Sequence, residues 1–371
     1  MHAYAVQDAA GMLKLDAMEN PHPLPADLQA ALGARLGAVA LHRYPGPRID
    51  DLRAALAAHA GLPDGHALIV GNGSDELISL VAMACDVPAD ETPDGRAPAI
   101  LAPLPGFVMY AMSAQLQGLR FVGVPLAADF ALDAEAMCAA IARERPAVTY
   151  LAFPNNPTAN LWDDAAMDRV IAAAAEAGGL VVVDEAYQPF ASRSWQGRIR
   201  AEPARHGHVL LLRTLSKFGL AGARIGYLMG PAALIAEIDK VRPPYNISSL
   251  NTECALFALE HAPVFEAQAA DIRAERDRLL AALAELPGAE PFPSDANMVL
   301  VRLPGGTAGA KAAFDALRTR KVLVKNVSTM HPLLAGCLRL TVGTAAENAQ
   351  MLAALADVLA ASPVPAAPTA A

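Results

Sequence analysis

Between about residues 50 and 230, short unbroken apolar runs alternate with longer stretches in which apolar residues recur every three or four positions. The short runs fall at 67–70, 99–102, 120–124, 148–152, 180–183, 209–212 and 225–229, and Val209-Leu210-Leu211-Leu212 is typical of them. Apolar runs of this length without polar alternation suit strands covered on both faces. The amphipathic stretches, at 49–59, 76–85, 107–116, 134–143 and 163–177, suit helices. Strand and helix in regular turn predict an α/β fold with a mainly parallel, seven-stranded sheet between helices. Arg242-Pro243-Pro244-Tyr245-Asn246 breaks the pattern, and an alanine-rich helical region runs on to Glu285. Two further strands, near 298–302 and 338–342, flank a helical stretch at 309–318 and predict a smaller α/β layer. The expected division is a segment 1–45 packing on the smaller unit and on a second subunit, a large domain 46–245, a small domain 246–361 and a disordered Pro/Ala-rich tail 362–371.

Composition narrows the functional classes. The chain has 371 residues, 54% hydrophobic and 18% charged, with 29 Lys and Arg against 38 Asp and Glu for a net charge of −9. With no basic tract, nucleic acid is not expected as a partner. No apolar run reaches membrane-spanning length and no secretory signal opens the chain, so a cytoplasmic protein is expected. Cys85, Cys138, Cys254 and Cys337 lie far apart without a C-x-x-C, and the nine histidines form no H-x-x-x-H, so neither disulfides nor a metal are indicated.

The candidate chemistry sits at the predicted strand ends, where open α/β sheets place ligands. Thr214-Leu215-Ser216-Lys217 follows the run at 209–212 and sets a lysine among hydroxyl and glycine residues. A lysine reacts with an aldehyde only when its amine is neutral, which burial and neighbouring cations favour. Gly71-Asn72-Gly73-Ser74-Asp75-Glu76 opens a helix after a strand; it reads as a phosphate cradle, or as a turn with a helix cap. Asp184 ends the run at 180–183: a charge reaching water, a metal ligand, or the partner of a protonated ring nitrogen. Asn156, in Pro154-Asn155-Asn156-Pro157-Thr158, is a turn residue or an amide donor to an acidic ring hydroxyl, and Phe107 is core or a plate for a planar cofactor. Cradle, plate, amide, carboxylate and lysine together describe a pyridoxal phosphate site.

In this order the cradle, P-N-N-P-T, Asp184-Glu185-Ala186-Tyr187 and Thr214-Leu215-Ser216-Lys217 resemble the fold-type I, class I/II aminotransferases that use pyridoxal 5′-phosphate. The stretches Asp16-Ala17-Met18-Glu19-Asn20-Pro21, Arg43-Tyr44-Pro45, 322–327 and 338–344 are most similar to the histidinol-phosphate aminotransferase group, over about residues 4–360. The resemblance implies transamination of L-histidinol phosphate with 2-oxoglutarate; aromatic amino-acid transamination or threonine-phosphate decarboxylation is the alternative. It implies Lys217 as Schiff-base residue and proton shuttle, Asp184 on the ring nitrogen, Asn156 and Tyr187 on the 3′-oxygen and Phe107 stacked on the ring. Ser74, Asp75, Thr214, Ser216 and Arg224 would hold the cofactor phosphate, joined by Tyr44 from the partner subunit of a homodimer. Arg339, Lys325, Asn20 and Tyr4 would bind the small-molecule substrates, an amino donor and a 2-oxo acid.

Several residues depart from the group's pattern. Arg224 lies seven positions after Lys217 where eight is common, and Phe107 stands for the usual tyrosine. Ala159 stands for a glycine, Met18 for an asparagine and Lys325 for an arginine.

Overall fold

The computed structural model of the chain describes residues 7–92 and 95–361; Tyr4 and the tail 362–371 lie outside them. In chain order the elements are β1 (Leu13–Lys14), α1 (Ala26–Gly37), α2 (Arg48–Ala60), β2 (His66–Asn72), α3 (Ser74–Ala84), β3 (Ala99–Leu104), α4 (Val108–Leu116), β4 (Arg120–Pro125) and α5 (Ala134–Glu144). There follow β5 (Val148–Ala152), α6 (Asp164–Ala177), β6 (Leu180–Asp184), α7 (Gln196–Ala201), β7 (Val209–Thr214), β8 (Ile225–Pro231), α8 (Ala232–Asp239), α9 (Ser249–Glu260) and α10 (Ala262–Ala284). The chain closes with β9 (Glu290–Pro291), β10 (Met298–Arg302), α11 (Gly306–Thr319), β11 (Val322–Leu323), β12 (Lys325–Asn326), β13 (Cys337–Thr341) and α12 (Ala345–Ala361).

All seven predicted strands join one sheet in the order β2-β8-β7-β6-β5-β3-β4. Only β8 runs antiparallel to its neighbours, so β2 to β7 share one C-terminal edge. The apolar runs are continuous because both faces are covered, and the two-residue period sorts them. Leu101, Val181, Val183 and Leu211 face a core shared with α2, α5, α6 and α9, while Ile100, Val182, Leu210 and Leu212 face one shared with α3, α4 and α8. Burying each such side chain contributes about 1.5–3 kcal/mol, so a slip of one residue in any strand would exchange two packed faces.

The smaller sheet, β12-β13-β10-β9, is antiparallel and packs with α10, α11 and α12 around a separate core that includes Leu15 and Met18. Of the stretch expected to lie on this layer, β1 does so by pairing in parallel with β11. α1 does not. It buries no residue and rests on α9, held by Arg35 to Glu253 (2.7 Å) and Glu260 (2.6 Å). α9 in turn places Ala255, Leu256 and Ala258 in the large sheet's core, although it follows the Pro243-Pro244 break. Among the described residues no helix is long and apolar enough to cross a membrane.

Candidate active site

A cavity of about 370 Å³ opens at the C-terminal edge of the large sheet. Its floor is made where strands end. β2 ends at Asn72, and Gly73, at φ 83°, turns the chain into α3. A Cβ on Gly73 would stand 2.4 Å from the Arg224 guanidinium, and one on Gly226 of β8 would stand 2.6 Å from the Gly73 and Ser74 backbone. Glycine at both positions lets the first turn of α3, the end of β8 and Arg224 close around one point. No side chain caps α3, so the cap reading of Ser74 and Asp75 is set aside. The first-turn amides and the positive end of the helix dipole are left for an anion.

The loop from Lys217 to Arg224 is one residue short of the usual length yet delivers Arg224 to the cradle. It folds as a wide turn over Ser216–Leu220 and a tight one over Ala221–Ala223, with Gly219 at φ 137° and Arg224 itself left-handed at φ 52°. The guanidinium then reaches the Ser216 hydroxyl at 3.3 Å and the Asp75 carboxylate at 3.4 Å. The Thr214 and Ser216 hydroxyls lie 3.0 Å apart beside it.

Asp184, the last residue of β6, is 4% exposed, which removes the reading of a charge reaching water. Its Oδ2 accepts from the Tyr110 hydroxyl at 2.7 Å and its Oδ1 from the Ala186 N–H at 3.0 Å. Burial pushes this carboxyl up to about 6, opposed by those two hydrogen bonds and assisted by Asp75 and Glu185. Among the described residues no group of three or more His, Cys, Asp or Glu side chains is arranged to hold a metal ion. Glu185 points to the other side of the strand, into a buried ion pair with Arg213 at 2.8 Å.

Lys217 lines the same cavity as Asp184. Burial, and then the nearby Arg339 charge, push its amine down to about 8. The amine donates to the Ala17 carbonyl at 3.1 Å and lies 5.8 Å above the Tyr187 ring. Phe107 lines the opposite wall at the start of α4.

The roof comes from the second unit. Arg339 on β13 is buried; its Nη1 donates to Asn156 Oδ1 at 2.7 Å and its Nη2 to the Asp16 carbonyl at 2.8 Å. With Asn156 Oδ1 so held, its amide nitrogen is the end left for the cavity. Met18 lines the roof at φ 53°; its N–H donates to Thr341 Oγ1 at 3.0 Å and its carbonyl accepts from Asn297 Nδ2 at 3.0 Å. The strap 16–18 is thereby tied down by Arg339, Thr341, Asn297 and Lys217.

Ser74, Asp75, Phe107, Asn156, Asp184, Tyr187, Thr214, Ser216, Lys217 and Arg224 all line the cavity, and Arg339 joins them through Asn156. Besides Arg339, three predicted site residues among the described ones do not line it. Asn20 donates from its amide nitrogen to Gln268 Oε1 at 2.9 Å, and its Oδ1 accepts from the His22 N–H, because α10 brings Gln268 alongside. Lys325 stands one strand away, the cross-strand neighbour of Arg339, whose charge together with burial pushes the lysine amine down. Tyr44 is 80% exposed and stacked on Tyr245 at 4.9 Å, away from the cavity of its own chain. Sequence reasoning missed Tyr110 and the strap carbonyl of Ala17. Tyr110 had a signal, since it follows Phe107 by three positions and so shares its helix face; the Ala17 carbonyl had none.

A mainly parallel sheet ending in an uncapped helix, a buried aspartate and a depressed lysine defines the fold-type I transferase class. The chain belongs to the family Aminotransferase class I and II, whose model matches residues 10–355. It is 69% identical over 359 residues to a histidinol-phosphate aminotransferase of Methylibium petroleiphilum, covering 97% of this chain and 92% of that one. It is 67% identical to the histidinol-phosphate aminotransferase of Paracidovorax citrulli, covering 96% and 94%. Among solved structures, histidinol-phosphate aminotransferase of Sinorhizobium meliloti in complex with pyridoxal-5′-phosphate superposes with a TM-score of 0.79 at 28% identity, covering 93% of this chain and 90% of that one.

Proposed function

We propose that this chain transfers the amino group of L-histidinol phosphate to 2-oxoglutarate, giving imidazole acetol phosphate and L-glutamate, with pyridoxal 5′-phosphate in the cavity. The observation that carries the reading is the gathering of Asp184, the α3 cradle and Lys217 in one cavity of a chain 69% identical to a histidinol-phosphate aminotransferase. The residues present fit the cofactor. Gly73 and Gly226 leave room that a Cβ would fill, the α3 amides and Arg224 suit a phosphate, and Asp184 suits a protonated ring nitrogen. When bound, the cofactor supplies an electrophilic aldehyde carbon and a ring that takes up the electron pair left when the substrate Cα loses its proton.

The side chains divide the remaining work. Ser74, Asp75, Thr214, Ser216 and Arg224 hold the phosphate, with Arg224 making the charge-assisted contact. Asp184 would keep the ring nitrogen protonated, Phe107 would pack against the ring, and Asn156 and Tyr187 would donate to its 3′-oxygen. Lys217 is the residue that would hold the cofactor's aldehyde carbon. Its amine, pushed down to about 8 by burial and Arg339, is neutral in a useful fraction near neutral pH, as a group that is to take and return the proton at the substrate Cα must be. Arg339 takes the anionic end of either substrate, and Lys325, beside it on β12, adds a second positive charge for the substrate phosphate. Tyr44 serves the phosphate of a second copy, which makes the working unit a homodimer, and the reaction belongs in the cytoplasm.

The test is a single-turnover comparison of the cofactor-loaded protein with histidinol phosphate, phenylalanine and threonine phosphate, read by cofactor absorbance. Histidinol phosphate is expected to react fastest by at least tenfold. A faster reaction with phenylalanine, or release of carbon dioxide from threonine phosphate, overturns the proposal.

A further inference from the structure

The cavity contains one strong hydrogen bond to which the roles above give no task. Tyr110, on the first turn of α4, is 2% exposed, and its ring is fixed on two sides. It stacks on Tyr150 at 4.3 Å and 13°, and it meets Phe107 edge-on at 5.7 Å and 85°. Two rigid neighbours leave the hydroxyl one direction, toward Asp184 Oδ2 at 2.7 Å. An ionised carboxylate is acceptor-only, so a phenol aimed at it must donate. We infer that Tyr110 is a positioning residue for Asp184, its hydroxyl keeping that buried carboxylate ionised and turned toward the ring nitrogen of the bound cofactor.

The inference rests on the pyridoxal phosphate reading and extends it to a residue that need not touch the reacting atoms. The surroundings of Asp184 make such a donor necessary. Burial favours the neutral acid, and Asp75 on α3 and Glu185 beside it push the same way. Only the Tyr110 hydroxyl and the Ala186 N–H oppose them among the groups bonded to the carboxylate. Lys217 and Arg224 line the same cavity but make no hydrogen bond to Asp184, Tyr187 lies beyond the end of β6, and the Tyr150 hydroxyl is directed instead to the Ile78 carbonyl at 3.5 Å. A neutral Asp184 would meet a neutral ring nitrogen, and the ring would then be a weaker electron acceptor.

The substitution Tyr110→Phe keeps both ring contacts and removes the hydroxyl alone. The dissociation constant for pyridoxal 5′-phosphate is measured on the full chain from pH 5.5 to 9. Losing a hydrogen bond to a charged group raises the proton affinity of Asp184 by about tenfold. Because this carboxyl sits near 6, the variant should bind the cofactor about five- to tenfold more weakly than wild type at pH 6 and equally at pH 9. Tyr150→Phe, which alters the same ring stack, should change affinity at no pH. Equal weakening of Tyr110→Phe across the whole range marks a packing role and overturns the inference, as does no weakening at all. Should Tyr110→Phe fail to fold, 3-fluorotyrosine at position 110 alone, a stronger donor, should tighten binding at pH 6 and leave pH 9 unchanged; no change overturns the inference. A wild-type chain that binds no cofactor at any pH defeats instead the reading on which the inference rests.

Discussion

The floor and the roof of the cavity are built by different means. Each floor residue lies within a few positions of a strand end, so Ser74, Asn156, Asp184 and Lys217 are aimed by their own β-strands and the turns that follow. The roof has no such local frame. Asp16, Met18, Asn297 and Arg339 meet because backbone groups of the strap are tied to side chains about 280 to 320 positions away. The charges differ as well. The floor sets a buried carboxylate against a lysine and an arginine, whereas the roof brings together the two cations Arg339 and Lys325. On the proposed function the floor would hold the one cofactor and the roof would take whichever anionic substrate is present.

Substitutions in the floor should therefore strike the chemical step, and substitutions in the roof should strike substrate affinity. The largest effect is expected of Lys217→Ala, which removes both attachment and proton transfer; single turnover should slow by about 10⁴-fold or more. Borohydride reduction of the loaded protein should label Lys217 in peptide maps, and a label on another lysine would break the assignment. Asp184→Ala leaves the ring nitrogen without its counter-charge, and loss of one partner from a buried charged pair, about 3–5 kcal/mol, should reduce single-turnover rates roughly 10²- to 10³-fold.

In the roof, Arg339→Lys keeps the charge but loses the planar fork, and KM for 2-oxoglutarate should rise about 10- to 100-fold while kcat changes less. If kcat falls as far as kcat/KM, the bond from Arg339 to Asn156 couples roof to floor more tightly than the comparison allows. Lys325→Met should raise KM for histidinol phosphate by about five- to tenfold and leave the glutamate half-reaction near wild type. A further effect concerns stability. Folding lowers the Lys217 amine from its ordinary 10.5 to about 8, so below pH 8 the folded protein bears the full cost of burying a charge there. That cost fades as pH rises toward 10.5. Cofactor-free Lys217→Met should accordingly be about 1–3 kcal/mol more stable than wild type at pH 7 in denaturant unfolding, with no gain near pH 10.5.

All seven strands of the large sheet were legible in the chain, since runs such as Val209-Leu210-Leu211-Leu212 need two covered faces and only a sheet between helices supplies them. The floor residues were legible for the same reason: a polar residue directly after a buried strand has few other places to be. Ala159 shows the limit of a local reading. It stands where glycine is usual, and only the structure shows why, in a left-handed φ of 65°. The helix after the Pro243-Pro244 break was legible as a helix but not as part of the large sheet's core, because an amphipathic stripe fixes what a helix must cover and not which partner covers it.

The sequence by itself determined the seven strands of the large sheet, the edge of that sheet at which polar residues collect, and the types of group gathered there. These follow from interactions of short range: apolar period, turn chemistry and helix termini. The tertiary structure decided which of those groups work as a set. It placed the Ala17 carbonyl on Lys217, Arg339 on Asn156 and the Tyr110 hydroxyl on Asp184, and it kept Asn20 for Gln268. Such pairs depend on how separately folded layers meet, and no period or spacing in the chain encodes the distance between two atoms brought together only by packing.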